Sequence, residues 1–330
     1  MVAMPVRYAQ RILNTNPIAR AELNHVDRFM RGHPRRRWAV IVIVMLASFA
    51  SAIGAGLTLI DNGLGIVVNE LRGFYPVILL AAAVFFLHYM MLYRLVNLAG
   101  ESVVREKRSN NWDTLLMTGI SAQRFVTGKW IALVRAVWVE VLVLALLRAV
   151  LCVGLGYTLF SSGTVNLAGM PAERIEFPAL QSALAALMII LFTATNAVFT
   201  VSAGVAASFI TRIDSAPGQT AMTVRIVSMM VPVLLTVCGA LFYLYVILDS
   251  DPSDTIDLFT RQIVVVISWS QLSLIDNGSV VTGLLASPHS HNGGILLLSL
   301  LIALALYAVL TVFLLRVAAW LAVKQGMIAE

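Results

Sequence analysis

The sequence predicts an all-α membrane protein that crosses the bilayer six times and keeps both termini in the cytoplasm. Three observations lead to this fold class. The chain has 330 residues, of which 59% are hydrophobic and only 12% are charged, whereas soluble domains carry about 25% charged residues. Its mean hydropathy of +0.88 is too high for a surface that faces only water. Finally, six separate apolar runs are long enough to span a bilayer.

The chain begins with a polar segment, residues 1–37, which we predict to be cytoplasmic. It holds eight arginines, and basic segments are retained on the cytoplasmic side of a membrane. Within it, residues 17–33 alternate apolar and charged side chains at helical spacing, which is typical of an amphipathic helix at the membrane surface. The first apolar run begins only at Trp38 and no small-residue cleavage site follows, so we expect no secretory signal.

Residues 38–330 are predicted to form one membrane domain. Each apolar run supplies the roughly 20 residues that a hydrocarbon layer of about 30 Å requires at about 1.5 Å per residue. The segment between the second and third runs is basic, whereas the one after the fifth run is acidic, which sets the orientation. The predicted spans are residues 38–60, 74–98, 129–156, 181–210, 223–248 and 294–322.

Residues 258–287 contain a further apolar stretch, Ile263 to Trp269, that is interrupted on both sides by polar residues. Because this stretch is too short to cross the membrane, a re-entrant or interfacial helix before the sixth span fits better than a seventh crossing.

The third span carries charged residues, Arg135, Glu140 and Arg148. Charges at bilayer depth cost roughly 3 kcal/mol or more and usually face protein or water. Three interpretations of Glu140 stay open: a structural ion pair or interhelical bond, a polar element of a substrate path, and a proton relay. Arg135 can extend its charge to the interface. We expect Arg148 to face the outer half of such a path or a lipid head group.

The fourth span is rich in small and hydroxyl residues, which serve either close helix packing or a polar pathway lining. The candidates for a translocation path are Arg135, Glu140, Thr195 and Asn196. At the end of the second span, aromatic and polar side chains are expected to act as interfacial anchors. These residues are His88, Tyr89, Tyr93 and Arg94.

The sequence gives no indication of catalysis. Gly128-Lys129 is followed by Trp130 and lacks the upstream glycine of a phosphate-binding loop. His88 is the only histidine in a predicted span, whereas a haem between helices commonly needs two. We therefore expect no enzyme activity, no cofactor and no metal in this chain. Nucleic acid is not expected either, because the basic loops account for the positive charge.

The segment between the second and third spans has clear local chemistry. Asn110 or Asn111 can cap a helix that begins at Trp112, and Asp113 lies favourably in its first turn. Gly119 can end that helix in a left-handed conformation. The sequence therefore predicts a short cytoplasmic helix that begins at Trp112 and is ended by Gly119.

This short helix carries more apolar side chains than a free loop usually does, namely Trp112, Leu115, Leu116 and Met117. They either pack against the bilayer and neighbouring helices or form a contact surface for a soluble partner. Ser121 can cap the next helix, which continues into the third span.

The segment resembles the first cytoplasmic loop of ABC-2-type transporter permeases. That family shows a charged run, an aromatic or leucine, an acidic residue, a leucine pair, a threonine, a serine and a terminal Gly-Lys. The matching residues are Glu106, Lys107, Trp112, Asp113, Leu115, Leu116, Thr118, Ser121, Gly128 and Lys129. The chain departs from the family at Asn110-Asn111, where Gly-Thr is typical, and at Gly119, where proline is common.

Two further matches support the resemblance. Asn16-Pro17-Ile18, followed by Arg20 and Glu22-Leu23, is similar to the start of the interfacial helix in many of these permeases. A weaker match is Ser287-Pro288 before the last span.

The resemblance implies a half-transporter in the plasma (inner) membrane, in contact with membrane lipid. Its partners would be a cytosolic ATP-binding cassette ATPase, which binds the ATP and Mg, and a second permease copy or a paralogue. The coupling helix that contacts the ATPase would span residues 111–119 and include Trp112, Asp113, Leu115, Leu116, Thr118 and Gly119. The alternatives are a non-transporting membrane anchor or regulatory subunit, and an ion-driven carrier that uses Glu140.

Overall fold

The computed structural model describes residues 16–31, 68–161, 179–211, 217–230, 234, 255–287 and 292–329. This part of the chain is almost entirely helical and contains no strand. Residues 217–230 are also helical. The named helices are α1 (Pro17–Arg31), α2 (Val68–Arg108), α3 (Trp112–Met117), α4 (Ala122–Ser161), α5 (Ala179–Ile210), α6 (Thr255–Asp276), α7 (Ser279–Leu285) and α8 (Gly293–Lys324).

Three of the described helices are long and apolar enough to cross a membrane. They are Ala122–Leu151 within α4, Ala179–Ile210 and Gly293–Lys324, and they contain most of the predicted spans 129–156, 181–210 and 294–322. The all-α membrane class is thereby confirmed. The predicted span 74–98 lies inside α2, which continues unbroken to Arg108. Span 38–60 and most of span 223–248 lie outside the described residues, so six crossings stay a prediction.

α5 is the central helix of the described bundle. It packs against α2, α4, α7 and α8. Its last three turns are buried almost completely, from Phe199 to Phe209, and these turns are mostly alanine, serine, valine and glycine. Because small side chains allow helices to approach closely, this burial agrees with the packing interpretation of the fourth span.

The end of the bundle at which α2 finishes and α4 begins is called the basic end here. The predicted surface helix, residues 17–33, corresponds to α1, which ends at Arg31 and packs on α4. Its N-terminus is capped by Asn16, whose side-chain oxygen accepts the amide hydrogens of Ile18 (3.0 Å) and Ala19 (3.4 Å). Ile18 and Ala19 are buried, so one face of α1 is held against the bundle.

α6 and α7 replace the single interrupted stretch expected over residues 258–287. The chain turns between them at Asn277 and Gly278, which both adopt left-handed backbone conformations. The apolar stretch Gln262–Asp276 is too short to count as a span. The turn is buried, because Asn277 contacts Asn196 in α5 and Tyr307 in α8.

Candidate functional site

α3 has the boundaries that local turn chemistry predicts. The helix begins at Trp112 and is followed by Thr118 and by Gly119 with φ of 65°, so the left-handed ending is confirmed. The capping differs from the prediction. Asn111 occupies the N-cap position without a side-chain hydrogen bond, and only its carbonyl accepts the amide of Leu115. Asn110 instead makes the preceding turn, with φ of 56°, a conformation that asparagine tolerates.

One face of α3 points into the bundle. The ring of Trp112 lies edge-on to Phe125 of α4, with centroids 5.9 Å apart, and to Phe209 of α5, at 6.4 Å. Leu115 and Leu116 are half-buried and pack against the same apolar core. These three predicted coupling residues therefore anchor the helix, as the packing interpretation expected.

The opposite face of α3 is open. No residue of the helix is fully buried, and Asp113, Thr118 and Gly119 are exposed. The most exposed side chain is Met117, at 88%. The coupling residues that the resemblance implies do not include Met117, although it follows the leucine pair directly. Met117 is two positions after Leu115, about half a helical turn away, so helical spacing alone could have placed it on the side opposite Leu115.

α1 is fastened to the basic end by buried ion pairs. Lys129 donates to Glu22 (2.5 Å), to Glu106 (2.8 Å) and to the carbonyl of Ser102 (3.2 Å), which uses all three ammonium protons. Arg105 also donates to both carboxylate oxygens of Glu22, at 2.8 and 3.0 Å. Glu22 and Lys129 are each almost fully buried.

The electrostatics of this cluster favour the charged form of Glu22. Burial alone would raise the pKa of the Glu22 carboxyl, but the charges and hydrogen bonds of Lys129 and Arg105 outweigh it and hold the pKa below its usual range. The Glu22 carboxyl is therefore ionised at neutral pH.

The structure joins sequence motifs that lie more than 100 residues apart. Asn16 donates to the carbonyl of Arg124 at 2.8 Å. A side chain at Gly128 would come within 2.7 Å of the Asn16 amide nitrogen. Asn16 thus packs directly against Gly128, next to the pairing of Glu22 with Lys129. The Asn-Pro-Ile segment and the Gly-Lys end of the loop therefore contact each other in the folded chain.

A second polar cluster lies inside the bundle, around Arg148 of α4. Its guanidinium group contacts His88 of α2 (3.3 Å) and donates to Thr193 of α5 (2.9 Å) and to Ser279 of α7 (2.7 Å). Arg148 and His88 are buried. The expectation that Arg148 faces a lipid head group is wrong, and so is the expectation that His88 is an interfacial anchor. Both predictions failed because hydropathy does not reveal the polar partners that neighbouring helices supply.

Asn196, a predicted pathway residue, belongs to this inner cluster. Its amide nitrogen donates to Asn277, and its oxygen accepts from Arg225 at 3.3 Å. The hydroxyl of Tyr307 in α8 also lies 3.0 Å from the Asn277 side-chain oxygen. The cluster therefore ties the α6–α7 turn to α5 and α8. Asn277 and Tyr307 carried no signal in the sequence, because single polar residues in apolar helices are common.

The remaining pathway candidates lie elsewhere. Glu140 pairs with Arg94 of α2 at 3.2 Å, not with Arg135, which is exposed. The interhelical interpretation of Glu140 thus names the right kind of contact but missed the partner. Thr195 is half-buried and bonds to the carbonyl of Leu191 in its own helix. The structure does not bring the four pathway candidates into one site.

The chain matches no protein-family model, no curated protein and no solved structure. Within the described residues, no group of three or more His, Cys, Asp or Glu side chains could hold a metal ion.

Proposed function

We propose that the chain is the membrane-spanning permease subunit of an ABC-2-type transporter. It moves a substrate across the membrane with ATP that a separate ATP-binding cassette ATPase hydrolyses. The observation that carries the proposal is α3, a short helix with an open face held between two long helices at the basic end. The resemblance in sequence covers this helix, and three of its six predicted coupling residues, Asp113, Thr118 and Gly119, are exposed on the open side.

The packing of α3 suits the transmission of movement. Its inward face contacts both α4 and α5 through the Trp112, Phe125 and Phe209 rings. Because packed aromatic side chains resist compression, a displacement of α3 by a closing ATPase pair would pass to both of these helices. α1 and the Glu22–Lys129 pair brace the start of α4, so the force would tilt the helix and not merely bend its end.

In the proposed topology the chain has six spans and both termini in the cytoplasm, and the basic end faces the cytosol. The α6–α7 turn then forms a re-entrant element. What supports this is the contact of Asn277 with Asn196 and Tyr307, which lie near the midpoints of α5 and α8. In a bilayer that those two helices cross, the turn is within the hydrocarbon layer and needs the internal hydrogen bonds that it makes.

A second permease copy or a paralogue completes the transporter, and the substrate path follows the contact between the two halves. The best candidate for the path is the Arg94–Glu140 pair, because the Arg94 side chain is 44% exposed at a position within the predicted span 74–98. Charges exposed at that depth face protein or water and not lipid. Arg135, which is also exposed, and Thr195 extend this candidate lining.

The test is binding of an ATP-binding cassette ATPase, sought first among the genes next to that of the chain. Co-expression of the two proteins and purification in detergent should give a complex. Met117→Asp should weaken it about tenfold or more, since loss of one well-buried contact residue typically costs at least about 1.4 kcal/mol. Gln219→Asp, an equal charge at an exposed position in another helix, is the control and should bind as the native chain does.

An ATPase that never co-purifies, or that binds Met117→Asp as tightly as the native chain, would exclude the permease assignment. A complex whose ATPase rate shows no response to any transported substrate in proteoliposomes would instead favour the non-transporting anchor. Transport without an ATPase, lost in Glu140→Gln, would indicate the ion-driven carrier.

A further inference from the structure

The last residues of the chain fold back onto α3. α8 ends in a turn at Gly326, with φ of 99°. The amide of Met327 donates to the carbonyl of Ala322, and that of Gly326 to Val323, which is the pattern that reverses a chain at a helix end. The side chain of Gln325 donates to the carbonyl of Phe209 at the end of α5 (2.7 Å). Residues 325–329, called the tail here, therefore have a fixed position.

The tail and the turn after α3 form one continuous surface. The carbonyl of Ile328 accepts the amide hydrogen of Ala122, the first residue of α4, at 2.9 Å, and Ser121 and Ile328 form an isolated parallel bridge. A side chain at Gly326 would contact Leu116 at 3.4 Å, and one at Gly119 would contact Ile328 at 3.8 Å. The tail thus lies directly beside α3.

Two large apolar side chains, Met117 and Ile328, are exposed on this surface. Met117 is 88% exposed and Ile328 is 55% exposed, while the adjacent Met327 is buried and holds the tail in place. In the proposed topology the basic end faces the cytosol, where neighbouring exposed apolar side chains indicate a contact with protein.

The charges around this apolar pair are mostly positive. Among the described residues that flank the two segments in sequence, the exposed charged side chains are Arg108, Arg124 and Lys324 against Asp113. A partner pocket that accepts the surface would therefore be apolar at its centre and acidic at its rim, since complementary charges select and orient partners.

We propose that the tail is the second half of the ATPase docking surface, with Ile328 beside Met117 in one apolar, acid-rimmed pocket of the ATPase. This inference rests on the proposed function and extends it from α3 to the C-terminus. The tail continues α8, bonds to α5 through Gln325 and bonds to α4 through Ala122. A movement of the ATPase would consequently reach three helices together.

The experiment measures affinity of the detergent-solubilised full chain for the purified ATPase that co-purifies with it. Ile328→Asp changes only the side chain, and the bond to Ala122 uses the backbone carbonyl, so the tail stays in place. We expect Ile328→Asp to bind about tenfold more weakly, equivalent to about 1.4 kcal/mol, and Ile328→Val to bind as the native chain does. Ile328→Lys should bind severalfold more tightly than Ile328→Asp at low salt, because the pocket rim is acidic.

The outcomes separate this inference from the proposed function. Weak binding by both Met117→Asp and Ile328→Asp supports the composite surface. Native binding by Ile328→Asp, with weak binding by Met117→Asp, overturns the role of the tail and leaves the permease assignment standing. Native binding by both variants overturns both proposals. Equal or weaker binding by Ile328→Lys than by Ile328→Asp overturns the acidic pocket.

Amide exchange at Ala122 reports the position of the tail. Faster exchange in Ile328→Val with native affinity also overturns the inference, because binding would then not depend on where the tail lies.

Discussion

α3 and α7 are short helices of nearly equal length, with six and seven residues, yet their surroundings are opposite. α3 has no buried residue, whereas α7 buries Val281, Thr282 and Leu285. Both follow turns that contain left-handed residues, Asn110 before α3 and Asn277 with Gly278 before α7. The local backbone chemistry is therefore similar, and the difference lies in what each helix packs against.

The two helices are also held differently. The carboxylate of Asp276 accepts the amides of Gly278 and Val280, each at 2.9 Å, so the start of α7 is satisfied inside the bundle. α3 has no side-chain bond at its N-cap, the Thr118 hydroxyl donates to the Leu115 carbonyl at its other end, and one face rests on aromatic rings and the tail. A helix this short is not stable alone. The chain thus keeps an open face on α3 where packing could have closed it, as a docking element requires.

The largest expected loss of stability is at Gly278, in the buried turn before α7. Gly278→Ala would place a Cβ 2.7 Å from the ring of Phe192 at a backbone φ of 75°. Backbone strain of roughly 1 to 2 kcal/mol and overpacking of about 1 to 3 kcal/mol should both lower the stability of the bundle. Thermal unfolding of the detergent-solubilised protein measures this loss of stability. Gly283→Ala inside α7, where nothing lies within 4 Å, should not destabilise. An unchanged midpoint for Gly278→Ala would show that the turn is not packed as described.

A smaller effect is expected where α1 braces the start of α4. Glu22→Gln removes the charge that Lys129 and Arg105 share and should cost about 1 to 3 kcal/mol, measured as faster amide exchange in α1. Ser109→Ala, at an exposed hydroxyl, is the control.

The pairing of Glu22 with Lys129 also predicts that the stability of α1 depends on pH. The pKa of Glu22 is lowered from its ordinary value of 4.5, so its contribution is fully present above that value and is lost as the pH falls through the lower folded pKa. Exchange in α1 should be unaffected by Glu22 titration between pH 7 and 5 and should accelerate only below 4.5. This acceleration of exchange at low pH should be smaller in Glu22→Gln. An equal acceleration in both proteins would assign it to another carboxyl.

Gly119→Ala tests the turn after α3 against the turn before α7. Gly119 has φ of 65°, but a new Cβ would meet only Ile328 at an ordinary 3.8 Å. Only the backbone penalty of roughly 1 to 2 kcal/mol should apply. The loss of stability should therefore be smaller than that of Gly278→Ala under the same unfolding conditions. If Gly119→Ala proved the more damaging of the two, α3 would be packed more tightly than its exposure indicates.

The smallest effect on stability is expected at the open face. Met117→Ser should change the free energy of unfolding by no more than about 0.5 kcal/mol, as exposed substitutions do. Val281→Ser, at a fully buried position of α7, should cost about 2 kcal/mol or more. Similar losses in the two variants would remove the contrast between an open and a closed short helix.

The sequence alone predicted the helical elements, because apolar runs and turn residues act over a few neighbours. It located α4, α5 and α8 within a few residues, placed α3 between Asn111 and Thr118, and separated α1 from the spans. The capping of α3 was only half right, since the asparagine side chains do not bond to the helix.

The tertiary structure decided which distant residues meet. It paired Glu140 with Arg94 and not with Arg135, buried Arg148 against His88, and joined the N-terminal motif to Gly128-Lys129. It also turned Leu115 inward and brought the tail beside α3. Such contacts depend on the rotation and crossing of whole helices, which side-chain periodicity leaves open within a chain that is apolar on all sides. The composition therefore determined a helical membrane protein, and the packing of its helices determined the surface from which we infer its partner.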